Sequence, residues 1–380
     1  MASIRKRSWT TSKGEPREAW IVDYFDQNNK RHLKTFARKK EADAWIVDAA
    51  HEVKRGTHTA HSTSVTVGEA GDRWADGAEA DGLARSTVKQ YRNHLKHHIL
   101  PYLGTVKLSQ LSAPMVRDFE DNLRSDSRSD AMVRKVLSSL AMLIGDAQDR
   151  GLVAHNVVRE RNRNRKRKNR TMDRRKIKAG VEFPLVEEAR AIMDAAAGRW
   201  RPLVATTIIT GMRASELRGL TWGDVDFGAG LIHVRQRADE WGEIGPPKSE
   251  AGERTIPMGE FLANTLKEWK LACPAGELNL VFPNGKGNVE SHANIYRRCF
   301  GAIQDQCGMV DKYGKPKYGP HAFRHYAIST FIDMGYPPKR VQDIAGHSTL
   351  AMTMDTYGHL FPDPEGDADM MRRAELRLVS

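Results

Sequence analysis

The strongest constraint on how this chain can fold is a run of positive charge near its middle. Residues 159–178, RERNRNRKRKNRTMDRRKIK, contain twelve lysines and arginines and two acidic residues, so the segment carries +10 of a formal net charge of +12. Such a density of like charge repels itself and is not compatible with a packed core. The run therefore predicts an interdomain linker at 159–180, with folded domains on either side.

The charge distribution also predicts a polyanionic partner. The first sixty residues add a net +5, whereas the rest of the chain sums to about −3. Net charge does not separate DNA from RNA or a membrane surface, and a free linker of this kind can simply be solvated. We favour a strap along a nucleic-acid backbone, where each cation at a phosphate releases a counterion. Its candidate contacts are Arg161, Arg163, Arg165, Lys166, Arg167 and Lys168.

Composition argues against secreted and membrane proteins. The three cysteines are irregularly spaced and do not suggest a disulfide framework. The N-terminal residues contain no apolar core of a signal peptide, and no stretch approaches the roughly 20 apolar residues that a membrane span requires. We expect a cytoplasmic protein that has no membrane partner.

Residues 1–60 are expected to form a small sheet and a helix. EAWIVDYFD and RHLKTFAR alternate apolar and polar residues, as half-buried strands do, and QNNK between them is a turn. KKEADAWIVDAAHEVKRG then carries apolar residues at helical spacing and ends at Gly56. This basic piece is either a nucleic-acid-binding domain or a folding appendage, and we favour the former.

Residues 64–158 are expected to form a bundle of four helices. Thr66 and Glu69 make a capping box, Ser112 can cap the third helix, and the fourth has a continuous apolar stripe from Val133 to Ala147. Basic residues follow one side of the second helix and predict either a nucleic-acid-facing surface or an ordinary solvated face. They are Arg85, Lys89, Arg92 and Lys96.

Six residues in the last 170 positions predict a metal-free site for phosphoryl transfer. They occur in the contexts TGMRASEL, PPKSEAGERTIPM, GPHAFRH, IAGHS and DTYGHL, and they are Arg213, Lys248, His321, Arg324, His347 and Tyr357. Positioned cations stabilise the charge that develops on the non-bridging oxygens of a phosphodiester. Planar guanidiniums, which stay charged at any working pH, suit that task.

Each residue type has a distinct role in this hypothesis. Arg213 and Arg324 bind the phosphate, and His347 hydrogen-bonds a non-bridging oxygen. Tyr357 is the nucleophile, a phenol that forms a covalent intermediate. His321, one helical turn before Arg324, takes the phenol's proton, and Lys248 gives a proton to the leaving oxygen.

Each residue alone also has an ordinary structural explanation. An arginine can pair on a surface helix, a turn lysine is usually solvated, and Tyr357 can be a core aromatic with a satisfied hydroxyl. We take His325 and His359, which flank the motifs, as structural or supporting residues. No Cys-x-x-Cys or His-Glu-x-x-His spacing supports a zinc site. Several independent coincidences in this order are less probable than one active site.

The ordered set resembles the catalytic signature of the tyrosine recombinases, the phage integrase family. The matching residues are Arg213 with Glu216 and Leu217, Lys248, His321 with Arg324, Gly346-His347-Ser348, and Tyr357, and Phe323 stands where the family more often has leucine. The strong similarity covers about residues 181–360. It implies a multidomain, mainly α fold with small β elements, in which 181–380 is the catalytic domain and Glu216 supports Arg213.

The resemblance also implies function and partners. Residues 1–60 would be an arm-type DNA-binding domain and 64–158 a core-binding domain, so the partner is double-stranded DNA with core-type and arm-type sites. A homotetramer would exchange strands through a 3′-phosphotyrosyl intermediate, with no metal or cofactor. A host DNA-bending protein and an excision directionality factor are further expected partners, in the nucleoid of a bacterial host. The short C-terminal helix, DPEGDADMMRRAELRLVS, is expected to dock on a neighbouring subunit.

Three other functions remain open. A chromosome-dimer resolvase has the same chemistry but normally lacks the first domain, so residues 1–60 favour an integrase. A type IB topoisomerase shares the logic of the pocket. A catalytically silent DNA-binding regulator on the same scaffold belongs to a different class, and the complete catalytic set argues against it.

Overall fold

A computed structural model describes residues 2–12, 14–26, 29–54, 64–161, 176–361 and 367–379. The chain forms two compact units, Met1–Met172 and Asp173–Ser380. Their division lies inside the segment that the sequence assigns to the linker, whereas the boundaries at residues 60, 64, 158 and 181 stay a prediction. Within the described ranges, no helix is both long and apolar enough to cross a membrane.

The first unit begins with a three-stranded antiparallel sheet. Its strands are β1 (Ser3–Thr10), β2 (Pro16–Phe25) and β3 (Arg31–Phe36), with β2 in the centre, and helix α1 (Lys39–Lys54) follows. Val22, Tyr24 and Ala42 form a small buried cluster between sheet and helix. The two predicted strands and the helix are confirmed. The sequence did not predict β1, because nearly every residue of this edge strand is exposed and no apolar alternation marks it.

The rest of the first unit is helical, as predicted. Its helices are α2 (Val67–Ala80), α3 (Arg85–His94), α4 (Leu100–Leu103), α5 (Ala113–Ser125) and α6 (Asp130–Asp149), with a π-helical turn at Leu95–Ile99. The Thr66–Glu69 capping box is present. Ser112 is the N-cap residue of α5, but its side chain makes no capping hydrogen bond. The apolar stripe of α6 is buried in the core of the bundle.

Helices also dominate the second unit. In order they are α7 (Val186–Ala195), α8 (Trp200–Thr210), α9 (Ala214–Gly219), α10 (Glu260–Ala272), α11 (His292–Asn294), α12 (Ala302–Gln306), α13 (Pro320–Asp333), α14 (Pro338–Ala345), α15 (Leu350–Tyr357) and α16 (Asp367–Val379). A π-helical segment, Ile295–Gly301, joins α11 to α12. The mainly α, multidomain fold class is confirmed.

A small antiparallel sheet precedes α10. Strands β4 (Val225–Asp226), β5 (Leu231–Val234) and β8 (Arg254–Pro257) pair in that order, and β6 (Arg237–Ala238) pairs with β7 (Ile244–Gly245) in a separate hairpin. LIHVRQ and ERTIPM, which the sequence predicts as strands around the loop that carries Lys248, both contain strands, and these pair with each other. Lys248 lies in the loop between β7 and β8.

One expectation about the helices is wrong. The run PLVATTIITGMRASELRGL predicts one helix that passes through Arg213 and ends near Gly219. A helix does end at Gly219, but α8 ends at Thr210 and Gly211 adopts a left-handed φ of 64°. A Cβ at Gly211 would lie 3.0 Å from the Cβ of Ala327, so glycine also permits close packing on α13. Arg213 is therefore the residue before α9, with extended backbone, and does not lie inside a helix.

Candidate active site

Five of the six predicted residues lie at the ends of helices that meet in the second unit. Arg213 precedes α9, His321 and Arg324 lie in the first turns of α13, His347 follows α14, and Tyr357 is the last residue of α15. Arg213 and Arg324 bind neighbouring carbonyls, and the ring centroids of His347 and Tyr357 are 6.2 Å apart. Helix ends expose backbone groups and side chains together, so they suit a shared polar site.

Three arginines hold the C-terminal end of α14. Arg254 Nε donates to Ile344 O at 2.6 Å, Arg324 Nη2 donates to Ala345 O, and Arg213 Nη2 donates to Gly346 O at 2.8 Å. These carbonyls have no partner inside the helix, and they form the negative end of its dipole. The three bonds therefore position the guanidiniums and the loop that leads to His347.

Arg324 is anchored from two sides. Its side chain is buried, and Nη1 also donates to Gly211 O at 2.7 Å, so the break between α8 and α9 supplies one of its acceptors. Burial and the charge of Arg213 lower the pKa of Arg324, which still remains protonated at neutral pH. The second predicted cation is thus fixed and charged.

Glu216 joins Arg213 to Arg254 behind the site. Its Oε1 accepts from Arg213 Nη1 at 2.7 Å, and its Oε2 accepts from Arg254 Nη2 at 2.8 Å. Burial alone would raise the pKa of Glu216, but the hydrogen bonds and charges of Arg254 and Arg213 outweigh it and lower the pKa to about 2. The carboxylate is therefore ionised at any working pH and keeps Arg213 in one orientation.

Sequence reasoning missed Arg254. The only signal available was its place in the strand ERTIPM, where it shares the inward face with Ile256 and Met258. An arginine on the buried face of a strand requires an acidic or carbonyl partner, but the sequence does not say which one.

His347 has a buried hydrogen-bond partner that the sequence did not indicate. Its Nδ1 lies 2.9 Å from the hydroxyl of Thr353, which is fully buried on α15. When this hydroxyl donates to Nδ1, the ring proton resides on Nε2. Burial and the positive charges of Arg324 and Arg213 lower the pKa of His347 to about 4, so the ring is neutral at pH 7.

Tyr357 is buried and meets a histidine that was not in the predicted set. Its side chain is 2 % exposed and packs with Ile328, Ile332 and Val341. Nδ1 of His325 lies 2.6 Å from its hydroxyl oxygen. Burial raises the pKa of Tyr357, although Arg324 and Arg213 oppose that effect. The phenol is therefore neutral in the DNA-free site.

His321 is close to this pair but does not contact the phenol. Its ring lies edge-on to the ring of His325, at 4.8 Å between centroids. Although His321 is exposed, partial desolvation and the charges of Arg324 and Arg213 lower its pKa. Among the described residues, no hydrogen bond joins His321 to Tyr357, so the geometry does not support the expectation that His321 takes the phenol's proton directly.

Lys248 is the one catalytic candidate that is not gathered with the others. It is exposed, and within the part of the chain that the structure describes it makes no hydrogen bond or ion pair with the other five residues. His359 is structural, as expected, since its Nε2 donates to Ile177 O at 2.9 Å. Within the described ranges, no group of three or more His, Cys, Asp or Glu residues could hold a metal ion.

The candidate DNA-contacting residues of the first unit differ in their exposure and in their partners. Arg161 has a partner within the bundle, because its side chain is only 20% exposed and pairs with the buried carboxylate of Glu120, which argues against the predicted DNA contact. Arg85, Lys89, Arg92 and Lys96 are exposed, as a binding face requires, although Arg92 pairs with Asp76 and Glu79. The remaining linker residues, Arg163, Arg165, Lys166, Arg167 and Lys168, lie outside the described residues.

Known protein families and individual relatives match most of the chain. Residues 182–363 match the family model described as the phage integrase family, and residues 66–123 match its N-terminal SAM-like domain. A tyrosine recombinase XerC-like protein of Caldanaerobacter subterraneus subsp. tengcongensis is 25% identical over 90% of this chain and 92% of its own length. An integrase of Streptomyces ambofaciens is 26% identical over 90% of each chain.

A solved structure has the same fold. The structure of a lambda integrase tetramer bound to a Holliday junction matches with a TM-score of 0.58 and 17% identity, over 90% of this chain and 95% of that one.

Proposed function

This chain belongs to the tyrosine recombinases of the phage integrase family, and we propose that it integrates a phage or another mobile element into DNA and can excise it. The observation that carries the proposal is a buried tyrosine in the same site as two oriented guanidiniums, Arg324 and Arg213, whose charges act on the phenol. Arg213 and Arg324 are held by protein carbonyls and by Glu216, but these bonds use only part of their donors. The remaining donors are available for a phosphate.

The proposed reaction uses five of the six residues in the roles that their chemistry suits. Arg213 and Arg324 bind non-bridging oxygens of the scissile phosphate, and Nε2 of His347 donates to one of them. Tyr357 attacks phosphorus, forms a 3′-phosphotyrosyl bond and releases a 5′-hydroxyl. Because the covalent bond conserves the energy of the phosphodiester, a 5′-hydroxyl from a second duplex can attack it and complete the exchange.

Lys248 is the proposed proton donor to the 5′-oxygen. Its loop follows the β6–β7 hairpin and is anchored at its far end by Arg254 on β8, so the lysine is tethered next to the site while its side chain stays in solvent. A flexible ammonium that reaches the leaving oxygen only when DNA is bound fits this exposure.

The assembly that we propose is a homotetramer on two duplexes. The family relationship, the basic N-terminal piece and the basic linker support double-stranded DNA with core-type and arm-type sites as the partner. Helix α16 supports contacts between subunits, because Met371, Leu376, Leu378 and Val379 are exposed on it. A host DNA-bending protein and a directionality factor complete the proposed set of partners.

The test is covalent trapping on a nicked core-site duplex that loses a short 5′-hydroxyl fragment after cleavage. The wild-type chain should form a protein–DNA adduct that denaturation does not dissociate, and Tyr357→Phe, which removes one oxygen, should abolish it. An adduct that persists in the variant would refute Tyr357 as nucleophile. Relaxation of supercoiled DNA without strand exchange would indicate a topoisomerase, and DNA binding without any adduct would indicate a silent regulator.

A further inference from the structure

We propose that His325 is a catalytic residue, which accepts the proton of Tyr357 during cleavage and returns it during rejoining. This inference rests on the proposed function, because it assigns a role in the reaction of Tyr357. It replaces His321 as the direct proton acceptor and leaves His321 in the site as a neighbour of His325.

The geometry places a base on the reacting atom. His325 Nδ1 lies 2.6 Å from Tyr357 Oη, inside the range expected of a general base in contact with its proton donor. Within the described residues, no other side chain is hydrogen-bonded to that oxygen. The contact joins α13 to the last residue of α15. The proposed base and the phosphate-binding Arg324 are adjacent residues of α13.

The protonation states fit transfer in this direction. Both groups are neutral at pH 7, and with the imidazole proton on Nε2 the Tyr357 hydroxyl donates to Nδ1, which is the arrangement that the transfer uses. Burial and the charges of His321 and Arg324 lower the pKa of His325 to about 4, opposed by Glu182, which precedes α7. The charge of Arg324 is the part of this effect that a bound phosphate offsets.

DNA therefore increases the basicity of His325 when it is needed. The scissile phosphate brings negative charge next to Arg324, which removes part of the repulsion that disfavours the His325 imidazolium. As the Tyr357 oxygen bonds to phosphorus, its proton becomes far more acidic, so transfer to Nδ1 accompanies bond formation. Without DNA the same histidine is a weak base, and the tyrosine remains protonated.

Each step balances. In cleavage the Oη–P bond forms, the P–O5′ bond breaks, the phenol proton moves to His325 Nδ1, and the 5′-oxygen takes a proton from Lys248. In rejoining the incoming 5′-hydroxyl loses its proton to Lys248 and bonds to phosphorus. The P–Oη bond then breaks, and the tyrosine oxygen recovers its proton from His325.

The first experiment separates proton transfer from positioning. An asparagine at 325 can offer its Oδ1 close to the place of Nδ1 and accept the tyrosine's hydrogen bond, but an amide does not take a proton. We expect His325→Asn and His325→Ala each to lower the single-turnover rate of adduct formation by at least about 100-fold in the full chain, with DNA affinity retained. His321→Asn is the matched control on the same helix and should lose less.

If His325→Asn forms the adduct at a near-normal rate while His325→Ala is slow, proton transfer to His325 is refuted. His325 would then only position the Tyr357 hydroxyl. Two near-normal variants would overturn the inference entirely while the proposed function stands. If the wild-type chain forms no adduct on the nicked duplex, the proposed function fails and the inference fails with it.

A second experiment removes the need for the proton. The substrate for a Tyr357→Phe chain is a DNA strand that ends in a 3′-p-nitrophenyl phosphate. Its p-nitrophenolate leaves as an anion, so joining to a 5′-hydroxyl requires no proton for the leaving oxygen. Adding His325→Asn should slow release of p-nitrophenol by less than about 3-fold, compared with about 100-fold in adduct formation. An equal loss in both assays would show a structural defect and refute the assignment.

Discussion

Replacing Glu216 with glutamine tests the electrostatic support of the site. The substitution keeps the size of the side chain but removes the charge that joins Arg213 and Arg254. The shift of the Glu216 pKa from 4.5 to about 2 corresponds to about 3 kcal/mol of stability at pH 7. This agrees with the cost of breaking a buried ion pair, about 3–5 kcal/mol.

The pH dependence provides a second check on the same substitution. The pKa of Glu216 is depressed in the folded protein, so its stabilisation is present above about pH 5 and is lost as the pH falls towards 2. The difference between wild type and Glu216→Gln should shrink from about 3 kcal/mol at pH 7 to about 1 kcal/mol at pH 3.

The measurement is a urea titration with pulsed hydrogen exchange, read on peptides from α8 to α15 so that only the second unit is followed. Glu268→Gln, at an exposed position on α10, is the matched control and should change stability by less than about 0.5 kcal/mol. A loss below about 1 kcal/mol for Glu216→Gln, or a loss that is the same at pH 3 and pH 7, would contradict the reasoning.

Three further predictions concern the tautomer, the tail and the linker. Thr353→Val removes the hydroxyl that lies next to Nδ1 of His347 and should slow adduct formation about 10-fold, whereas Thr353→Ser keeps a hydroxyl and should form the adduct at the wild-type rate. Equal rates of adduct formation in the two variants would show that the hydroxyl is not needed. Deleting residues 365–380 should weaken assembly on DNA in native gels or misregulate cleavage, and unchanged recombination would contradict docking of α16. Neutralising Arg163, Arg165 and Lys166 together should flatten the slope of log affinity against log salt by about 3, and an unchanged slope would remove them from the DNA contacts.

Local sequence determined much of the fold. Most strands and helices of both units follow from apolar periodicity and capping, as in the buried stripe of α6 and the Thr66–Glu69 box, whereas β1 and the break at Gly211 do not. The chemistry of the candidate site also follows from residue type, because only arginine provides a permanently charged, planar donor and only Tyr357 in that order offers a nucleophile. These properties belong to individual residues and short spacings, so they are visible without a structure.

Long-range contacts determined the rest. The pairing of Arg254 with Glu216, of Thr353 with His347 and of His325 with Tyr357 joins residues from separate elements, and nothing in their spacing indicates which ones meet. Arg161 is a second example of a partner that the sequence does not indicate. Its position in the basic run predicts a DNA contact, but it pairs with the buried carboxylate of Glu120 inside the bundle. A buried polar group takes whichever partner packing brings to it. The sequence therefore determined which residues can perform the chemistry, and the tertiary structure decided which histidine touches the tyrosine.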